Sequence, residues 1–121
     1  MLDLEAATLD QLLSHFVALG VEQDQAWMTF EQSKVNRAIR QRFAVEAELK
    51  SRPGDARRLL INYYEHPNIQ VQLNAATATL ALFPEEAHRK LEEIRSWGIS
   101  PFGPDAGLLL SGLEDGSWQP E

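Results

Sequence analysis

The stretch Asn68–Phe83, NIQVQLNAATATLALF, carries no charged residue in a chain that is 24% charged. It constrains the fold class more than any other segment. Its first half, Ile69 to Asn74, alternates apolar and polar residues as a half-buried strand does. A lone strand between helical flanks, however, would find no partner for its backbone groups. Stepping the residues by about 100° sorts them differently. Val71, Ala75, Ala78 and Leu82 share one flank, and Ile69, Leu73, Ala76, Leu80 and Phe83 share another. Gln70, Asn74 and Thr77 form one uncharged polar seam, with Gln72 and Thr79 on a second. A helix with two apolar sides is packed between neighbours, so a central helix is expected over Asn68–Phe83.

The flanking patterns are helical. Thr8-Leu9-Asp10-Gln11 reads as a capping box, and Leu9, Leu12, Leu13, Phe16 and Val17 follow at helical spacing up to Gly20, which suits a helix stop. Val21–Phe30 reads as a shorter helix with Ala26, Trp27 and Phe30 on one side. The next runs from about Ser33 to Ser51 with Val35, Ile39, Phe43 and Ala47 as its face, and Pro53-Gly54 ends it. Asp55 can cap a helix carrying Ala56, Leu59, Leu60, Tyr63 and Tyr64. His66-Pro67-Asn68 makes a turn, with Asn68 as N-cap of the central helix. Pro84, Glu85 and Glu86 open a helix with Ala87, Leu91, Ile94 and Trp97 on its face and Gly98 as its stop. Gly103-Pro104-Asp105 opens a last helix with Ala106, Leu109, Leu110 and Leu113, which Gly116 closes.

Two antiparallel helices around a short Pro/Asn turn, the second sandwiched, form the unit of an α-solenoid. The run LLINYYEHPNIQVQLNAATATLALFPEEAHRKLEEI resembles a HEAT repeat, with Val71, Ala75 and Ala76 at the start of its second helix and Gln72 where such repeats usually carry Arg. The blocks FAVEAELKSRPGDARRLL, HPNIQVQLNAATATLALFPEEA and PDAGLLLSGLEDG, in that order, resemble a small bacterial HEAT-like family catalogued as domain of unknown function 2019. The resemblance implies an all-α, compact HEAT-like superhelix and no established activity or catalytic residues. The expected architecture is therefore a short solenoid of six or seven helices without a sheet.

With 121 residues and 44% hydrophobic content, the chain reads as one folded domain over 1–121. The absence of Cys removes disulfides, thiolate metal sites and Cys nucleophiles. The acidic start Met1-Leu2-Asp3-Leu4-Glu5 is unlike a signal peptide, and no apolar run approaches the ~18 residues of a membrane span, so a soluble cytoplasmic protein is expected. The net charge of -7 is uneven: residues 1–33 hold six acids and no Lys or Arg, whereas 34–58 hold eight bases against three acids.

No signature of an enzyme, cofactor or metal site emerges: His15, His66 and His88 are isolated, and there is no glycine-rich phosphate loop. They read as surface or capping histidines. Lys34, Arg37, Arg40 and Arg42 form a candidate basic patch for nucleic acid, but the acidic balance disfavours that partner and pairing with the acidic first helices is the simpler reading. Gln70, Asn74 and Thr77, with Tyr63, Tyr64 and Trp118, are candidate partner-binding residues, because uncharged seams and aromatic side chains suit interfaces. Trp118 in the tail EDGSWQPE either pins that tail to the domain or is offered outward. The expected function is a non-enzymatic protein–protein interaction module with an unknown protein partner. An acidic, immunity-type blocker of a basic toxin or nuclease is a specific version of it, and a homodimer covering apolar flanks is a further candidate.

Overall fold

The capping box forms as its residues dictate: Thr8 Oγ1 accepts from the Gln11 N–H at 3.1 Å, and Gln11 Oε1 accepts from the Thr8 N–H at 2.9 Å. The computed structural model describes residues 2–121. Among them the regular elements are α1 (Leu9–Met28), α2 (Gln32–Ser51), a 3₁₀ helix (Ala56–Tyr63), α3 (Ile69–Ala78), α4 (Pro84–Trp97) and α5 (Phe102–Asp115), with no strand. Two compact units result, one running to Leu59 and the other spanning Leu60–Glu121.

In the first unit α1 and α2 pack as a hairpin. Gly20 does not end α1, which continues to Met28 with Gly20 buried inside it. An interior Gly costs a helix roughly 1 kcal/mol, less than the burial of Leu12, Phe16, Leu19 and Ala26 along one stripe returns. The break comes at Thr29–Glu31. Glu31 N–H donates to Ala26 C=O at 2.9 Å and Phe30 N–H to Trp27 C=O at 3.1 Å, the two bonds of a Schellman motif. The left-handed residue of that motif is ordinarily Gly, and here it is Phe30 at φ +59°. An L side chain there costs on the order of 1 kcal/mol relative to Gly.

The buried face of α2 is Val35, Ala38, Arg42, Val45 and Leu49, not the expected Val35, Ile39, Phe43 and Ala47. Ile39 is half-buried, Ala47 is exposed and Phe43 is 55% exposed. The true stripe is a strict heptad pattern, disguised because a charged residue occupies its middle. Pro53 holds Arg52 extended at ψ 151° and ends the helix as expected.

The segment after Asp55 is 3₁₀ rather than α-helical. Bonds from Arg58 N–H to Asp55 C=O and from Tyr64 N–H to Ile61 C=O both span three residues. Short pieces between turns close with this tighter bonding because a longer α-nucleus is costly. In the second unit Asn68 Oδ1 caps α3 by accepting from Val71 N–H at 3.2 Å. The charge-free stretch is helical, not extended, but α3 stops at Ala78 instead of reaching Phe83. Thr79 Oγ1 bonds back to Ala75 C=O at 2.8 Å, and Leu82 and Phe83 N–H both turn onto Thr79 C=O.

Helix α4 begins at Pro84 and stops at left-handed Gly98, and α5 begins at Phe102 and stops at left-handed Gly116. A Cβ on Gly103 would lie 3.3 Å from Gly98 Cα, so the small residue permits the close approach of the α4–α5 junction. Both α4 and α5 pack on α3. Every residue of α3 from Gln70 to Ala76 is buried, polar ones included.

Candidate functional site

The polar seam of α3 is covered. Gln70 and Asn74 are 4% and 2% exposed, and Gln70 Nε2 donates to Asn74 Oδ1 at 2.9 Å within the same helix. Thr77 is half-buried and its hydroxyl bonds back to Leu73 C=O at 2.7 Å. Burial of polar side chains is tolerated because they are hydrogen-bonded. Gln70 and Asn74 therefore serve as internal packing, not as an exposed binding face, whereas Thr77 keeps partial access to solvent. Gln72, the departure from the HEAT pattern, closes the preceding turn by donating Nε2 to His66 C=O at 2.6 Å, while its buried Oε1 has no partner. His66 itself caps the turn, its Nδ1 accepting from Asn68 N–H at 3.0 Å.

The aromatic candidates separate. Tyr64 is buried, and its hydroxyl shares a short hydrogen bond with Thr79 Oγ1; burial raises its pKa. Tyr63 is half-buried, edge-on to His66 at 6.3 Å between ring centres. Trp118 is half-buried, and the tail is held there by its backbone: the Trp118 main-chain N–H donates to Gly112 C=O at 3.2 Å, and its Cβ lies where a side chain on residue 112 would intrude.

The basic segment does not present four cations together. Lys34 pairs with Glu31 at 2.8 Å and Arg37 with Glu22 at 3.4 Å. Hydrogen bonds from Lys34 and then Thr29 hold the Glu31 carboxyl below its ordinary range. Arg42 is buried, donating Nε to Glu46 at 2.9 Å. Among the described residues only Arg40 of the four is exposed without an ion pair. Desolvation dominates the buried pair, pushing the Arg42 guanidinium down and the Glu46 carboxyl up. Nearby, Arg57 grips Asp55 at 2.7 Å and lowers its pKa through that hydrogen bond. Arg52 donates to the carbonyls of Leu4 and Ala7, both at 2.9 Å, so it holds the segment before α1.

Lys90 interrupts the apolar face of α4. Its side chain is 4% exposed, yet its ammonium reaches Glu65 at 2.9 Å and Glu93 at 3.2 Å, and lies 5.7 Å from the Trp97 ring centre. Both carboxylates remain in contact with water, so removing the cation strands no buried charge. Lys90→Met is expected to leave thermal and urea stability within about 1 kcal/mol of the native value, since the thioether chain fills the space of the buried stem.

One exposed apolar cluster was not anticipated from the sequence. At the turn between α1 and α2, Trp27, Met28 and Phe30 are 45%, 63% and 92% exposed. They border two clefts. One, of about 130 Å³, is lined by Ala26, Trp27, Phe30, Glu31, Gln32 and Val35. The other, of about 450 Å³, carries Met28 and Ala26 with Glu22, Glu31, Lys34 and Arg37 around them. The only signal in the sequence was a phenylalanine beside a helix break, which also suits a core residue. Among the described residues no group of three or more His, Asp or Glu side chains could hold a metal ion, and no helix is long and apolar enough to cross a membrane.

Residues 10–114 match the family model described as Domain of unknown function (DUF2019). The structure is similar to the crystal structure of the protein RPA1889 from Rhodopseudomonas palustris CGA009, with 40% sequence identity, 100% of each chain covered and a TM-score of 0.95. No curated protein matches the chain.

Proposed function

The chain belongs to the domain of unknown function 2019 family, and from that premise we propose that it is a non-enzymatic, cytoplasmic protein-binding module with HEAT-like helix pairs. The observation that carries this reading is the exposed cluster of Trp27, Met28 and Phe30. Trp and Met are enriched at interface centres, and contiguous exposed apolar surface marks interaction sites. The buried ionisable groups fit a structural reading as well: Arg42, Arg57 and Lys90 each hold a carboxylate of a neighbouring side chain. The pairing of Lys34 and Arg37 weighs against nucleic acid, because the carboxylates of Glu31 and Glu22 beside them would repel phosphates.

The test is a photo-activated benzoylphenylalanine placed at position 30 in the native host. A discrete protein adduct that disappears with Trp27→Ser is the expected result; no adduct at all would sink the reading. The narrower acidic-blocker version draws on Asp3, Glu5 and Asp10, which form no ion pair among the described residues. It requires the adduct to be a basic protein.

A further inference from the structure

We infer that the occupant of the α1–α2 tip is a second copy of this chain, docked through the same surface by a two-fold axis; this rests on the protein-binding reading and names its partner. The first argument is shape. Phe30 projects almost completely into solvent at the rim of a cleft of about 130 Å³ that it lines together with Ala26, Trp27 and Val35 and the polar Glu31 and Gln32. A projecting ring and a receiving cleft on one surface are what a two-fold contact requires, because each copy supplies both.

The second argument is charge. The chain is strongly acidic at -7, so most of its surface repels a copy of itself. The tip is different: the larger cleft carries two carboxylates, Glu22 and Glu31, and two cations, Lys34 and Arg37. Their ion pairs are the two bridges in which both side chains are at least 43% exposed. A uniformly basic partner would meet Lys34 and Arg37, and a uniformly acidic one would meet Glu22 and Glu31. A second copy turned by 180° can set each sign against its opposite.

The third argument is the backbone. Phe30 occupies the left-handed position of a Schellman motif at φ +59°, where glycine would be unstrained. With 92% of the residue exposed, contacts within the chain do little to offset that strain. Contacts with another molecule can offset it, and they explain why an aromatic residue stands there.

Phe30→Gly separates association from folding, because it relieves the backbone while removing the anchor. Sedimentation equilibrium from about 1 to about 100 μM should show the native chain forming dimers, and Phe30→Gly associating at least tenfold more weakly. At dilutions where both are monomeric, the variant should unfold at higher urea. A native chain that stays monomeric throughout, or dimers that Phe30→Gly leaves unchanged, would overturn the proposal. In a second arm, Glu22→Lys with Glu31→Lys, and Lys34→Glu with Arg37→Glu, should each lose self-association and regain it when mixed. A mixture no tighter than either variant alone also overturns it. A monomeric native chain whose position-30 cross-linker captures a different host protein rejects the second copy while leaving the protein-binding reading standing; absence of any adduct rejects that reading itself.

Discussion

Glu46→Ala should destabilise the protein by about 3 kcal/mol, because it strands Arg42 in a buried position with its nearest counter-charge gone. Arg42 keeps other contacts, which places the loss at the lower end of the usual range for a broken buried pair. Glu46→Gln should stay closer to the native value, since a neutral amide oxygen can still accept from Arg42 Nε. The double replacement Arg42→Met with Glu46→Leu should equal or exceed native stability. Burial opposes the charge on both partners, so apolar side chains of similar volume avoid that cost. Urea midpoints of the four proteins test this ordering. A stable Glu46→Ala chain would mean that Arg42 is held mainly by its other contacts.

The same pair sets a pH dependence with a definite sign. The Glu46 carboxyl lies above its ordinary value in the folded state, so the folded chain binds that proton more readily than the unfolded chain. Its contribution to stability therefore decreases as pH rises from the ordinary glutamate value through the raised one. Asp55, held low by Arg57, acts oppositely and in a lower window: its contribution is lost as pH falls through and below the ordinary aspartate value. Glu46→Gln should remove the Glu46 contribution and leave that of Asp55, together with that of Asp105, whose carboxyl pKa burial also raises.

Phe16→Ala should cost about 4 kcal/mol, through lost transfer energy and the cavity left in the first unit. Phe16 is 0% exposed between Leu12 and Leu19 on the buried stripe of α1. Phe43→Ala is the control: at 55% exposure it creates no enclosed cavity, and its cost should stay below about 1 kcal/mol. Equal losses for the two variants would contradict the observed face of α2.

The contrast among Phe16, Phe43 and Phe30 marks the boundary of what the sequence reveals. All three sit in segments that read as helical, and all three looked like core residues. Phe16 falls in a stripe of like residues that repeats over several turns, so the period identifies it. The period of α2 is hidden in the sequence because Arg42 occupies a core position, and the alternative set from Val35 to Ala47 is the more apolar one. Phe30 lies two residues past the end of α1, where the residue type alone suggests burial but the left-handed residue is 92% exposed.

Several elements set by local chemistry were legible, although Gly20 was not the helix stop its residue type suggested. The Thr8 capping box, the Asn68 cap, Pro84 at the start of α4, and Gly98 and Gly116 at helix ends all appear where the residues place them, because caps and stops act within a few residues of chain. The helical nature of the charge-free stretch also followed from sequence, since two apolar flanks and no strand partner leave no other solution. Tertiary packing decided the rest. It carried α1 through Gly20 and covered the Gln70–Asn74 seam that sequence had left open between a binding face and an internal contact. It also placed the exposed apolar cluster at the α1–α2 turn. Burial depends on which elements meet, and residues far apart in the chain determine that meeting.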